Sequence, residues 1–223
     1  QEYFDHSFIG FQFRLPRYGS FGLSIENFSV NYSGNSLSKE SAVGIHQGIL
    51  LSTDRNSILS FGYGLKSYVI DYGSSAGASG DGSDGIGLGS QSAWGLDIGL
   101  LASLADRIRF GAKAFNINSP TLGEANSAVR LPQRAQVGIA FSPYDLVWTT
   151  ASLTKSIGHP THFHSGLSYE IQDNIFLKAG MQTNPNRFAT GFGVYIKKVQ
   201  IDYGLITHPV LPLSHQLSIE VNR

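Results

Sequence analysis

Hydrophobic and polar residues alternate with a period of two along most of the chain, in blocks of about ten residues separated by turn formers. Between Arg107 and Asn118, Ile108, Phe110, Ala112 and Ala114 oppose Arg107, Arg109, Gly111 and Lys113. In His162–Ile171, Phe163, Leu167, Tyr169 and Ile171 oppose His162, His164, Ser168 and Glu170. The same alternation runs through Ile175–Gln182, Phe188–Lys197, Val199–Leu205 and the final block with Leu217, Ile219 and Val221. Ser7–Arg14 sets Ile9, Phe11 and Phe13 against Gly10, Gln12 and Arg14. Phe21–Tyr32 starts with Phe21, Leu23 and Ile25 in phase and slips at Asn27 to Phe28, Val30 and Tyr32, which predicts a β-bulge. Ala42–Ser52, Ser57–Tyr72, Ser92–Leu104, Gln133–Phe141 and Leu146–Lys155 bring the count to about thirteen strands.

The connections sort by length. Short turns (Pro16–Gly19, Asp54–Asn56, Ala105–Asp106, Pro143–Asp145, Asp173–Asn174, Lys197–Lys198) alternate with longer loops, chiefly Ser33–Glu40, Ser74–Gln91, Ser119–Pro132 and Gly158–Thr161. Short turns on one side, longer loops on the other and apolar-out, polar-in strands are the pattern of a transmembrane β-barrel. Closing the sheet leaves no unpaired edge in hydrocarbon. The expected fold class is therefore all-β, a transmembrane antiparallel up-and-down barrel of about 12–14 strands forming a single domain over residues 1–223. A soluble β-sandwich or barrel is the alternative.

Composition sharpens this picture. Charged residues are only 14% of the chain, against roughly 25% in soluble domains, while no apolar block reaches helix-spanning length. A lipid-facing belt accounts for both, because it takes half of every strand and leaves charge to the lumen and loops. The predicted lumen charges are Arg14, Glu26, Lys66, Asp97, Arg107, Arg109, Lys113, Arg134, Glu170, Lys178, Asp202 and Glu220, of mixed sign. Sixteen basic residues balance sixteen acidic ones, which argues against a nucleic-acid partner, and the absence of cysteine excludes a disulfide scaffold. A start at Gln1 without a signal segment fits a processed, exported chain in the bacterial outer membrane. An odd strand number is unusual for such barrels and predicts either a miscount by one or a strand lying outside the sequence read here.

Ser92–Pro120 (SAWGLDIGLLASLADRIRFGAKAFNINSP) carries an aspartate-containing strand, a short turn and an arginine-to-asparagine strand, through Asp97, Gly99, Leu100, Arg109, Gly111 and Asn116. Leu131-Pro132 with Arg134, Val137 and Gly138 follows, then Tyr169, Phe176, Lys178, Ala179 and Gly180, then Asp202-Tyr203, and finally Ser214-His215 with Leu217-Ser218. Upstream, Pro16-Arg17-Tyr18-Gly19 to Ile25 and Phe61–Tyr72 fit the earlier hairpins. In this order the motifs resemble the PorV/PorQ-type outer-membrane proteins of the FadL-like β-barrel superfamily. The N-terminal hatch and first strand of that superfamily have no match, and the chain ends Asn222-Arg223 rather than in an aromatic residue. The resemblance implies a non-enzymatic accessory subunit of a type IX secretion or other cell-surface complex, with outer-membrane or secreted proteins as partners. Its alternative is passive transport of small hydrophobic molecules, with an apolar ligand in place of a protein partner.

Candidate chemistry is sparse. His162 and His164 in GHPTHFH share a strand face, a spacing that suits imidazole ligation of a metal, but no carboxylate or cysteine lies nearby in sequence. Asp81 and Asp84 in Gly80–Gly87 offer a partial calcium-loop composition without the full ligand pattern, and an extracellular loop is the favoured reading. His46, His164 and Ser168 show no nucleophile–base spacing, so no catalytic residue and no cofactor are expected. Trp94, Trp148, Tyr63, Tyr72, Tyr169 and Tyr203 are candidates for an interfacial aromatic girdle.

Overall fold

In a computed structural model of the chain, the structure describes residues 4–32, 35–75, 77, 78, 80, 84–123, 128–210 and 212–221. The strands are β1 (Phe4–Leu15), β2 (Gly19–Tyr32), β3 (Asn35–Asp54), β4 (Ser57–Asp71), β5 (Ser90–Leu104), β6 (Ile108–Phe115), β7 (Thr121–Leu122), β8 (Val129–Arg130), β9 (Arg134–Tyr144), β10 (Val147–Ser156), β11 (His162–Gln172), β12 (Ile175–Gln182), β13 (Arg187–Ile196), β14 (Val199–Ile206) and β15 (Ser214–Val221). Thirteen of them form one up-and-down sheet, each beside its neighbour in sequence except that β6 is followed by β9. β7 and β8 make a separate hairpin within the connection that crosses from β6 to β9. There is no helix among the described residues.

The tight turns take the left-handed backbone that two-residue hairpins need, which Asp106 and Asn174 accept readily and Ala105 and Lys197 adopt at a cost. Ala105 and Asp106 (φ 50° and 54°), Asn174 (68°) and Lys197 (57°) occupy such positions. Two local expectations differ from the structure. β2 pairs in unbroken register with β1 from Gly19 to Val30, and its register with β3 shifts between Val30 and Asn31, so no bulge occurs at Asn27. The change of phase is instead a change in which face is apolar: Phe28 shares a face with Glu26, and Phe4 stacks on it at 6.1 Å. The expected loop Ser33–Glu40 is mostly strand, because Ser38, Lys39 and Glu40 continue the ladder opposite Val30, Ser29 and Phe28. Backbone pairing does not require alternation, which only reports burial.

The chain divides into two compact units. The first comprises Gln1–Leu51, Ser60–Gly99 and Ala114–Gln133. Its apolar face carries Ile9, Phe11, Leu23, Ile25, Val43 and Ile45, largely exposed. Its polar face carries His46, whose ring lies between glycines on two strands and whose Nε2 is 2.8 Å from Ser24 Oγ. A Cβ at Gly44 would lie 2.6 Å from His46 Nε2, and one at Gly64 would overlap Nδ1. Gly64→Ala is therefore expected to destabilise the protein by about 1–3 kcal/mol through overpacking. Adding His46→Ser should recover most of that loss in thermal unfolding, whereas a neutral Gly64→Ala would show that the ring moves freely.

The second unit comprises Ser52–Leu59, Leu100–Lys113 and Arg134–Arg223. Its strands pair in long regular registers, with shifts between Val147 and Thr149 and between Glu170 and Gln172. Val137, Leu153 and Phe163 are cross-strand neighbours on its apolar face, again exposed rather than packed into a core. Such a surface has its apolar residues outside, as lipid contact demands. Ala93 and Leu122 are the buried hydrophobic residues among those described.

Candidate functional site

The most buried chemistry lies in the first unit, where β6 ends early. The alternation predicts a strand to Asn118, but Asn116 adopts φ 55° and β6 stops at Phe115. Asn116 and Asn118 ahead of Ser119-Pro120 are turn formers, and that composition was the readable signal for the break. From there the ladder toward β5 is kept by one backbone bond, Ile117 N–H to Leu96 O at 2.9 Å, and by side-chain amides. Asn118 Oδ1 accepts from Leu96 N at 2.9 Å, and its Nδ2 donates to Trp94 O at 2.7 Å. On the β9 side, Asn116 Nδ2 donates to Pro132 O at 3.2 Å and Gln133 Nε2 to Ile117 O at 3.0 Å. A seam of amide side chains thus replaces part of the backbone ladder.

Asp97, 2% exposed, sits beside this seam on the polar face of β5. Its Oδ1 accepts from the Asn116 backbone N at 3.0 Å. Lys66 Nζ lies 3.0 Å from Oδ2 without hydrogen-bond geometry, so that link is an ion pair rather than a directed bond. The Lys66 ammonium also stands 5.4 Å from the centroid of the Phe115 ring. Tyr68 donates its hydroxyl to Asn116 Oδ1 at 3.1 Å. Gly95 is required here, since a Cβ would come 2.7 Å from Tyr68 Cε2 and closer still to Asn116 Oδ1. The β7–β8 hairpin grows from the seam and is closed at its base by Leu131 N–H to Pro120 O at 2.8 Å. Leu122 is 1% exposed, and a Cβ at Gly123 would be 2.9 Å from the Gln91 amide, so the hairpin lies against β5. Tyr72 reaches the same Gln91 at 3.3 Å.

The remaining predicted charges are dispersed. In the first unit, Glu26 pairs with His6 at 2.9 Å, and Arg14 stands opposite Ser20 on the face that carries Glu26. In the second, Lys178 and Asp202 form an ion pair at 2.6 Å, and Gln200 donates to Asp202 Oδ2 at 2.7 Å. Glu220 faces Gln200 across β14–β15, and Glu170 Oε1 accepts from Asn174 N to cap a turn. Lys113 lies near the end of β6, and Arg134 pairs with Ser156 at the start of β9. Arg109 lies over Trp148 at 4.4 Å.

Two placements differ from expectation. Trp148 faces Ser168 and Lys178 on the polar side, not the girdle side, because β10 pairs with β11 in unbroken register and Trp148 keeps the parity of Thr150, Ser152 and Thr154. Arg107 precedes β6, and its Nη2 binds Asp145 at 2.6 Å at the turn end of the sheet, half exposed. The turn at Ala105–Asp106 takes it out of the strand pattern.

His162 and His164 share the polar face of β11 with ring centroids 6.4 Å apart. No third histidine or acidic residue joins them in a metal-holding group among the described residues. Asp84 accepts from Ala78 N at 3.1 Å, while Asp81 lies outside the described residues. Ser168 and His164 make no bond with each other among those found, and His46 instead meets Ser24. Sequence reasoning passed over the aromatics on the polar face (Tyr68, Phe115, Trp148, Phe176), although Tyr68, Phe115 and Phe176 stand two residues from Lys66, Lys113 and Lys178 and so share their parity.

No family model matches the chain, and no curated protein matches it. Solved structures do. A TodX deletion mutant described as a monoaromatic hydrocarbon channel aligns with TM-score 0.64 and 11% identity over 98% of this chain and 83% of that one. The Pseudomonas putida toluene transporter TodX aligns with TM-score 0.58 and 10% identity, covering 95% and 79%. A Pseudomonas aeruginosa FadL homologue gives 0.53 and 13%, covering 89% and 68%. The fold is that of the FadL-type outer-membrane β-barrels.

Proposed function

We propose that the protein is a passive conduit for small hydrophobic molecules across the bacterial outer membrane. The fold likeness to a toluene transporter and a monoaromatic hydrocarbon channel motivates this reading. The observation in this chain that carries it is the placement of aromatic rings on the otherwise polar face. Phe115 and Tyr68 stand beside the Lys66–Asp97 pair, and Trp148 and Phe176 stand on the polar face of the second unit. Rings there offer apolar and cation-binding surface to a molecule that a purely charged wall would repel. An accessory role in secretion, suggested by degenerate motifs, gains no structural observation to favour it, and a partner protein is not needed to account for the buried seam.

The test is permeation into vesicles whose outer leaflet is lipopolysaccharide, a barrier to hydrocarbons that plain phospholipid lacks. Entry of a monoaromatic probe is expected to accelerate with protein present, while entry of a hexose should not. Equal rates with and without protein would end this reading.

A further inference from the structure

A second site lies in the second unit, at the turn end of β9 and β10, on the apolar face. The register shift between Val147 and Thr149 sets Tyr144 opposite Val147, and Val147 lies opposite Tyr169 on β11. The shift thus builds a cross-strand row of Tyr144, Val147 and Tyr169 at one level of the sheet. Tyr144 is 74% exposed and Tyr169 43%, on a face that continues with Phe141 and Leu167 on either side of Thr149. Tyrosines at the end of an apolar strand face mark the boundary of water and hydrocarbon.

Beside this row is an open groove of about 530 Å³, lined by Tyr144, Leu146, Val147 and Tyr169 together with Arg107 and Asp145. Its two charges are fixed rather than trailing. Buried Ser142 donates its backbone N–H to Arg107 O at 2.8 Å and its hydroxyl to Tyr144 O at 2.7 Å, and its carbonyl stands 3.4 Å from Arg107 Nη1. The guanidinium holds Asp145 at 2.6 Å, with side-chain exposures of 50% and 85%. A cation and an anion side by side, at the boundary level and above an apolar floor, complement a ligand with the reverse pair and an acyl tail.

We propose that this groove binds the headgroup of an aminophospholipid, phosphatidylethanolamine, with Arg107 taking the phosphate, Asp145 the ammonium, and Tyr144, Val147 and Tyr169 the glycerol and upper acyl chains. A purely anionic phospholipid meets Asp145 as a like charge. A choline headgroup lacks N–H donors for the carboxylate. Both bind less well. The site requires only that the strands span a bilayer, and stands whether or not the protein conducts hydrocarbons.

The experiment is lipid titration of the detergent-purified full chain by native mass spectrometry, using phosphatidylethanolamine, phosphatidylglycerol and phosphatidylcholine of equal chain length. One phosphatidylethanolamine is expected to be retained about fivefold more strongly than the others, the discrimination of an exposed charge pair. Asp145→Asn, at a position too exposed to disturb folding, should reverse the preference in favour of phosphatidylglycerol by leaving Arg107 unopposed. Arg107→Gln should lower retention of both phosphatidylethanolamine and phosphatidylglycerol. Equal retention of the three lipids by the wild type, or an unchanged preference in Asp145→Asn, would overturn the assignment.

Discussion

Lys66→Met is expected to lower the unfolding free energy by about 3–5 kcal/mol, the range for breaking a buried ion pair from one side. Asp97 is 2% exposed and Lys66 16%, so water cannot replace the lost countercharge. The bond that Asn116 N donates to Asp97 remains, but a peptide N–H does not replace the full positive charge that Lys66 brings to a buried carboxylate. Pairing Lys66→Met with Asp97→Leu should recover most of the loss, since an apolar pair of similar volume often matches a buried ion pair. The comparison within the same chain is Lys178–Asp202, whose side chains are 39% and 25% exposed. Lys178→Met should cost no more than about 1 kcal/mol there, because solvent screens the charge left behind. Denaturant unfolding in detergent micelles measures both. Equal losses from the two lysine variants would mean that burial does not set the strength of these pairs.

The fold was legible because each strand reports its own orientation. Ile175–Gln182 and Phe188–Lys197 alternate cleanly, and β12 and β13 match them almost to the residue. Alternation failed where something other than lipid decides a face. Phe4 and Phe28 stack on the face that carries Glu26, so the pattern between Phe21 and Tyr32 imitated a bulge. At Trp148 the opposite happened: a real register shift next to it was hidden by a strand whose two faces are nearly equal in polarity. The candidate site was legible in its parts but not in its assembly. Asp97, Lys66 and Asn116 were each singled out, yet nothing in their spacing brings residues of β4, β5 and the end of β6 together. That juxtaposition depends on β6 stopping at Phe115, which turns on the left-handed backbone of Asn116. The β7–β8 hairpin escaped notice because two-residue strands are too short to show a period.

If side-chain amides hold the seam, removing them frees the hairpin without unfolding the sheet. The variant to make is Asn116→Gly with Asn118→Ala and Gln133→Ala. Glycine is chosen at 116 because φ 55° would strain alanine and confound the result. The substitutions delete the bonds to Pro132, Trp94, Leu96 and Ile117, and the one from Tyr68. At about 1 kcal/mol for each of three side chains, the open population of the hairpin rises about a hundredfold. Hydrogen exchange reads this directly: the amide of Leu131, which bonds Pro120 O, should lose about two decades of protection. Amides of β12–β14, paired through uninterrupted backbone registers, should keep theirs. Uniform loss across both sets would mean that the amides support the whole sheet, and no loss at Leu131 would mean that they are incidental. Should the conduit reading hold, the same variant also admits the monoaromatic probe faster, because the segment released lies against β5 at Gln91 and grows from the seam that adjoins Asp97. Faster exchange with unchanged permeation would separate the two, leaving a mobile hairpin that does not obstruct the path.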